Sequence, residues 1–517
     1  MEAYIGVFVL FYFLAVVTLS LVANKRAKSK STGDFYVASN SLGTVLIFAT
    51  AFATAFSSFA FMGQMGQVYN LGASAIFNFM TYTFFFYPIA LVIGKRIWFF
   101  GKKYGYITPA DLLAHRYQCN APIRLIMGLL ICVYCSIFYI VIQINGTSWA
   151  LETATGIDPV ISRLLICIVM AIYINIGGAR GAAYVDFMQF CFIMIGIVII
   201  AITAIAVNGG FSSLYIRLDQ VNPAAFLPKQ PFQTMLSGSI VMTISNCVWP
   251  TIWMKYYAAK NVKSNWAVAA GIGSGTVVVT VGMPLIILAG LMIAYPMADA
   301  ATTDTLVIRY VLDYTHPAVA TIVVGGLVCA AMSTAAGLTL LCSSVFTKDL
   351  PKCLPKETQS KISDRQLLYF GKLIAVLAIF VCFLISLRPM GALVTAGITL
   401  TYPGYFLAFP LVVGGFFWKK ANKYGAVSGL LLGFITVMIT TYVVRNPFGI
   451  ATGIWGVAVC TLTFITVSLC TAQTDQKTLE QFGLSDEQIR KRKGLPLLAS
   501  AKQLQTGFTE RTDEVRS

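Results

Sequence analysis

Apolar residues in this chain neither alternate nor recur on a single helix face; they run together. About 13 stretches of roughly 20 residues are apolar from end to end, the length an α-helix needs to cross a hydrocarbon core. They lie near 4–23, 42–67, 73–94, 124–147, 159–177, 186–207, 234–256, 267–295, 317–344, 369–388, 391–416, 425–444 and 449–471. Backbone N–H and C=O groups in lipid must be satisfied within the segment, so each stretch reads as a helix. The pattern predicts an all-α integral membrane protein with a membrane domain over 1–471 and a polar tail over 472–517. In the tail, Ser485-Asp486-Glu487-Gln488 ahead of Arg490 to Lys493 has the form of a capping box. A segment of that length is too short for a catalytic or sensor domain.

Composition agrees. Charged residues make up 11% of the 517 and hydrophobic residues 57%, whereas a soluble domain is about 25% charged. That excludes a soluble enzyme, a secreted disulfide scaffold and a disordered chain. The 37 Lys and Arg exceed the 20 Asp and Glu, giving a net charge of +17. Basic excess can signal nucleic-acid binding, but here it sorts by topology. About 31 of the 37 fall on alternate loops and the tail, including Lys25, Arg96, Lys102, Arg124, Arg180, Lys255, Lys348, Lys352 and Lys420. The other side holds Arg163, Arg217, Lys229, Arg309, Arg388 and Arg445. The asymmetry predicts the N-terminus outside, the C-terminus inside and an odd number of spans. It leaves no role for nucleic acid. The first apolar run follows Met1-Glu2-Ala3 and precedes its basic cluster, so it is expected to be a first helix rather than a cleaved signal.

Candidate chemistry is sparse. Most of the 12 cysteines lie within apolar spans, Cys132 and Cys135 among them, and the two histidines, His115 and His316, fall in loops on opposite sides. That offers no zinc constellation and no catalytic pair. Two spans carry helix-weakening residues at their centres. The second is rich in small residues through Ala49 to Ser58 and runs into Gly63 and Gly66. The seventh carries Ser245-Asn246-Cys247-Val248-Trp249-Pro250. Pro250 removes a backbone donor and clashes with the preceding turn. Interrupted spans five helices apart point to an inverted-repeat transporter with a site near the midplane. Close packing of small residues is the other reading of such spans. Spans 2–6 and 7–11 would form the halves, with span 1 and spans 12–13 peripheral.

Four stretches carry a resemblance to the sodium/solute symporter family, which includes bacterial sodium/proline, sodium/pantothenate and monocarboxylate symporters. They are Asp34-Phe35-Tyr36-Val37-Ala38-Ser39-Asn40, Tyr104 to Asp111, Gly177-Gly178-Ala179-Arg180 through Asp186 to Gln189, and Ala330-Ala331-Met332-Ser333-Thr334 followed by Cys342-Ser343-Ser344 and Thr347-Lys348-Asp349-Leu350. Asn40 stands where the family usually has Arg. The resemblance implies a LeuT-type fold of 5+5 inverted repeats and Na+-coupled uptake across the plasma membrane. It also implies a sodium site made by the backbone carbonyls of Ala53, Phe56 and Ala330 and the hydroxyls of Ser333 and Thr334. Na+ is a hard cation, and such oxygens supply it without a buried carboxylate. The same hydroxyls can instead bond back to carbonyls one turn earlier.

Asp186 opens the sixth span. The resemblance suggests a role in the ion path; a helix-start carboxylate favoured by the dipole is the other reading. Asp111 is expected to cap or brace a loop. For the solute, Ser245, Asn246 and Trp249 at the break of the seventh span, with Ser57 and Gln64 near that of the second, are the candidate contacts. Pro403 marks a third flexible point. The expected activity is Na+-coupled import of a small organic solute, a carboxylate-bearing metabolite such as a monocarboxylate, an amino acid or pantothenate. A proton-coupled symporter of the same fold, titrating Asp186, is the alternative. A membrane-embedded enzyme is not expected.

Overall fold

The computed structural model describes residues 2–26, 31–225, 227–300, 302–388, 391, 393–485 and 488. The membrane-length helices are α1 (Glu2–Lys25), the bent pair α2 (Thr44–Ala55) and α3 (Phe59–Leu71), α4 (Ala73–Tyr104), α6 (Ala121–Thr155) and α7 (Pro159–Val207). Short α5 (Pro109–Tyr117) lies between α4 and α6. The second half holds α8 (Phe232–Cys247) and α9 (Pro250–Ala258), then α10 (Val262–Ala294), α11 (Pro317–Cys353), α12 (Asp364–Ser386), α13 (Leu393–Phe417), α14 (Lys423–Val443) and α15 (Thr452–Cys470).

At 49 residues, α7 would be about twice the length needed to cross a bilayer if straight. It breaks at Gly178, where φ is +54°. A Cβ there would sit 2.7 Å from the Phe35 carbonyl oxygen, so only glycine permits both the turn and the approach. With α7 counted as two crossings, and α2–α3 and α8–α9 as one each, the described residues form the thirteen segments that the apolar pattern predicts.

Burial separates centre from periphery. In its most apolar stretch α11 is 83% buried, α8–α9 is 78% and α13 is 72%; α1 and α12 are 22% and α15 is 28%. The outlying first and last spans match expectation. The exposure of α12, assigned to the second repeat, does not follow from the sequence pattern. The connections between these spans are partly helical, over Phe211–Val221 and Leu306–Tyr314.

The first residues of the tail pack on the membrane domain. Phe482 stacks on Phe100 with ring centroids 4.4 Å apart, and His115 Nε2 pairs with Gln481 Oε1 at 2.9 Å. The Gln488 N–H donates to Ser485 Oγ and the Ser485 N–H to Gln488 Oε1, both at 3.4 Å; this is the expected capping box, while Arg490 to Lys493 lie outside the described residues.

Candidate functional site

An α-helix leaves its last carbonyls without intrahelical partners. At the end of α2 the chain turns out of the helix at Phe56 (φ −106°, ψ 99°), whose N–H still reaches Phe52. The carbonyls of Ala53 and Thr54 are taken by α11 instead. Ser333 Oγ donates to the Ala53 carbonyl at 2.5 Å and Thr334 Oγ1 to the Thr54 carbonyl at 2.8 Å. Both hydroxyls also reach the Ala330 carbonyl, at 2.9 and 3.3 Å. Each hydroxyl has one proton, so the bond back along the helix and the bond across to the broken helix share it. Five oxygens, three carbonyl and two hydroxyl, meet in one buried cluster with no carboxylate. Thr54 is a member that the sequence did not single out. Among the described residues no hydrogen bond ties the Phe56 carbonyl to Ser333 or Thr334.

Helix α3 bends 54° from α2. Ser57 starts the new direction, its Oγ accepting from the Phe59 N–H at 3.2 Å. Ser58 Oγ donates to Gln143 Oε1 at 2.8 Å. The second break falls at Val248 and Trp249, and Pro250 occupies the first turn of α9, where its missing N–H costs nothing. Ser245 Oγ donates to the Tyr402 carbonyl at 2.8 Å and Asn246 Nδ2 to the Met242 carbonyl at 2.7 Å. Asn246 also lies beside the Tyr402 side chain.

The two breaks meet through aromatic rings. Trp249 packs edge-on to Tyr139, centroids 5.5 Å apart; Phe59 packs edge-on to Tyr402 at 5.7 Å. The Tyr139 hydroxyl lies beside Ser57 and 3.3 Å from that of Tyr402. Trp249 Nε1 and Gln143 Nε2 are buried donors without a partner among the described residues. Ser57, Ser245, Asn246 and Trp249 are thus joined through the two tyrosines. Gln64 points elsewhere: its Nε2 donates to the Thr280 carbonyl of α10 at 2.6 Å.

Asp186 is buried. Thr50 Oγ1 donates to its Oδ2, and Lys255 Nζ reaches the same oxygen at 3.3 Å and Thr50 Oγ1 at 2.6 Å. Sequence counting places Lys255 among loop charges. The structure places it in the last turn of α9, its side chain 12% exposed.

The stretches that carry the family resemblance touch one another. Arg180 Nη2 donates to Asp34 Oδ1 at 2.8 Å, and the Tyr36 hydroxyl lies 2.7 Å from both Ser343 Oγ and Thr347 Oγ1. Thr108 and Asp111 form a capping box at the start of α5, the capping role expected of Asp111. Arg124 Nη1 bridges Asp111 at 2.8 Å and Asp349 at 2.5 Å, Lys352 Nζ meets Asp111 at 2.6 Å, and Thr108 Oγ1 donates to Asp349 at 2.7 Å. Burial alone would raise the Asp111 carboxyl, but Lys352 and Arg124 outweigh it and hold the group well below the usual carboxylate range.

Sequence reading missed Tyr139, Gln143 and Tyr402. The signal was a spacing: Tyr139, Gln143 and Gly146 share one face of α6, and a Cβ on Gly146 would meet Ser58 Oγ at 2.6 Å. Nothing in an apolar span says which face meets a break in another helix.

Comparison with known proteins agrees with this architecture. The family model of the sodium:solute symporter family matches residues 35–433. The osmoregulated proline transporter OpuE of Bacillus subtilis is 23% identical over 93% of this chain and 98% of its own length. A sodium/pantothenate symporter of Haemophilus influenzae is 25% identical over 81% and 86%, and a sodium/proline symporter of Staphylococcus aureus 24% over 83% and 84%. Among solved structures, a Na+-coupled sialic acid symporter in a substrate-bound outward-open state superposes with a TM-score of 0.72 at 18% identity, covering 92% of this chain and 99% of that one. A nucleobase-cation-symport-1 family transporter in a closed conformation gives 0.55 at 12%, covering 90% and 99%. These likenesses show the expected LeuT-type fold.

Proposed function

The chain belongs to the sodium:solute symporter family, and from that premise we propose that the oxygen cluster between α2 and α11 is its Na+ site and the aromatic chamber between the two breaks its solute site. As a member of that family it is a multi-pass plasma membrane transporter, not an enzyme, and it couples Na+ to the movement of a small solute. The observation that carries the assignment is the pairing of Ser333 and Thr334 with the orphaned carbonyls of Ala53 and Thr54. When Na+ takes the place of those hydrogen bonds, each hydroxyl turns a lone pair inward. Ala330 adds a third carbonyl, and Phe56, at the break, is placed to add another. The ion then holds α2 against α11, and its differential affinity for the open and closed arrangements performs the coupling.

The solute is a small carboxylate-bearing metabolite. Its support is the pair of unpartnered donors, Trp249 Nε1 and Gln143 Nε2, since a buried donor left unpaired is costly and a carboxylate supplies acceptors. Ser57, Ser245, Asn246 and Tyr139 add polar contacts, and the Trp249 face adds an apolar wall. Gln64 acts from behind, tying α3 to α10. Proline and pantothenate, named for the bacterial relatives, both bear a carboxylate. Asp186 guards the ion's way out toward the basic end. Residues 1–471 are the transport unit and 472–517 a tail on the same side as the basic loops, inside by the positive-inside count.

The test is uptake by proteoliposomes of labelled acetate, pyruvate, lactate, proline, pantothenate and a hexose under an inward Na+ gradient or with K+ in its place. Na+-dependent accumulation of one carboxylate, weakened by Ser333→Ala, is expected. Accumulation of the hexose alone overturns the solute class; uptake unaffected by the K+ exchange overturns the ion site.

A further inference from the structure

Helix α13 finishes at the basic end of the bundle, and two arginines meet its last carbonyls. From α5, Arg116 Nε donates to the Gly415 carbonyl at 2.7 Å and Nη2 to the Trp418 carbonyl at 3.1 Å. From α4, Arg96 Nη1 donates to the Phe416 carbonyl at 3.2 Å. The Tyr117 hydroxyl donates to the Leu411 carbonyl, one turn earlier, at 2.6 Å. These carbonyls carry the negative end of the helix dipole, so cations suit them. In the expected 5+5 arrangement α4 and α5 belong to the first repeat and α13 closes the second, so these bonds join the two halves.

Arg116 is 1% exposed, and the partners of its charge are carbonyls and one hydroxyl, not a carboxylate. The start of the tail completes its burial. Arg116 Cζ lies 5.8 Å from the centre of the Phe482 ring. That ring stacks on Phe100, which stacks in turn on Phe416 of α13 with centroids 5.8 Å apart. Thr474 Oγ1 accepts from Arg116 Nη1 at 3.4 Å and donates to the Ala421 carbonyl at 3.0 Å. Between these two points runs the short helix Gln476–Gln481, whose Leu479 is buried and whose Gln481 pairs with His115 of α5. Covering a cation that has no counter-carboxylate costs free energy, and burying Leu479 and Phe482 offsets it. Opposed effects of this kind suit a segment that docks and releases.

We propose that residues 474–482 are a clasp on transport. Docked, they hold the last turn of α13 to α4 and α5 and keep the basic end of the bundle shut; released, they free that end to open. Arg116 and Phe482 are its positioning residues. The proposal rests on the transport reading above, in which the two repeats part first at one end of the bundle and then at the other. In that reading Na+ binds the arrangement closed at the basic end, so clasp and ion stabilise the same state and each strengthens the other.

The test follows amide hydrogen exchange in the purified full-length chain by mass spectrometry, with binding of radiolabelled Na+ measured beside it. Phe482→Ala is expected to speed exchange over residues 411–418 and over the helix Gln476–Gln481. It should also raise the half-saturating Na+ concentration about fivefold, the effect of losing one aromatic pair from the ion-competent state. Phe482→Tyr, which keeps the ring on Phe100, retains both values, so the change is not a general loss of folding. Unaltered exchange over residues 411–418 in Phe482→Ala overturns the clasp, whether or not Na+ binds. Faster exchange there at unchanged Na+ affinity overturns it too, because the tail then braces α13 without acting on transport. Failure of the unaltered chain to bind Na+ counts against the ion site instead, and the exchange measurement still decides the clasp.

Discussion

Lys255 joins Asp186 at 3.3 Å while donating to Thr50 at 2.6 Å, so a single ammonium ties α9 and α2 to the second half of α7. Thr50 lies one turn before Ala53 and Thr54, the residues whose carbonyls meet Ser333 and Thr334. The proposed way out of the ion, from that cluster toward the basic end, runs by this knot.

Breaking the knot from one side should be worse than removing it. An ion pair so deeply placed leaves an uncompensated charge when one partner goes, at a cost of about 3–5 kcal/mol, whereas replacing both is close to neutral. Asp186→Asn and Lys255→Met are each expected to lower the unfolding midpoint in detergent, and the double variant to recover most of the loss. Recovery of stability without recovery of uptake would separate the ion path from the scaffold. If neither single variant moves the midpoint, the pair does not bridge these helices in the working protein.

Ser333→Ala and Thr334→Ala each remove one hard oxygen from the α2–α11 cluster. The Na+ concentration for half-maximal uptake should rise about tenfold for each, equivalent to about 1.4 kcal/mol, while Thr334→Ser keeps the hydroxyl and the affinity. Thr339→Ala, one turn further along α11, removes a hydroxyl that, among the described residues, bonds the Ala335 carbonyl alone, at 2.8 Å. Its Na+ dependence should be unchanged; a matching loss there would mean that the effect is helix packing.

The carboxylate reading turns on two donors. Trp249→Phe keeps the ring that packs on Tyr139 and deletes only the N–H. A hydrogen bond to a charged group contributes about 1.5–3 kcal/mol, so the solute concentration for half-maximal uptake should rise tenfold or more at unchanged Na+ affinity. Gln143→Glu places a second carboxylate against the first and should abolish uptake. Equal uptake by Trp249→Phe and the unaltered chain would remove the indole N–H from the solute site.

How much of this was legible follows from what each signal reports. Apolar length located every span, including the two within α7, because lipid forces an internally bonded helix. Pro250 and the small residues before Ser57 located both breaks, because each weakens a helix by a local rule. Rotation about a helix axis leaves no such mark in a span that is apolar all round. Tyr139 and Gln143 therefore stayed hidden on α6, and Gln64, chosen for nearness to a break, turned out to face α10. Lys255 was misplaced for a related reason: a lysine near the end of a span counts as a loop charge whether it points to water or inward. Thr54 was missed because its contribution is a carbonyl, which any residue carries.

Outside the spans, the Asp111 network should tie stability to pH only in acid. Its folded-state affinity for protons is depressed by Lys352 and Arg124 against the opposing effect of burial, so it contributes stability that is fully present above the ordinary carboxylate value, about 4. That contribution is lost as the pH falls from there through the lower folded value, because in that window the unfolded chain takes up a proton that the folded chain does not. The unfolding midpoint should thus gain nothing from Asp111 between pH 7 and 5 and fall below about 4. Lys352→Met removes one of the two cations and should move the fall to higher pH, by a modest amount because the Lys352 side chain is 42% exposed and partly screened. Asp111→Asn should lower the midpoint at pH 7, where Arg124 loses a partner, and flatten the acid limb. An acid limb identical in Asp111→Asn and the unaltered chain would assign acid sensitivity to other carboxylates and leave the capping box with Thr108 as the residue's whole role.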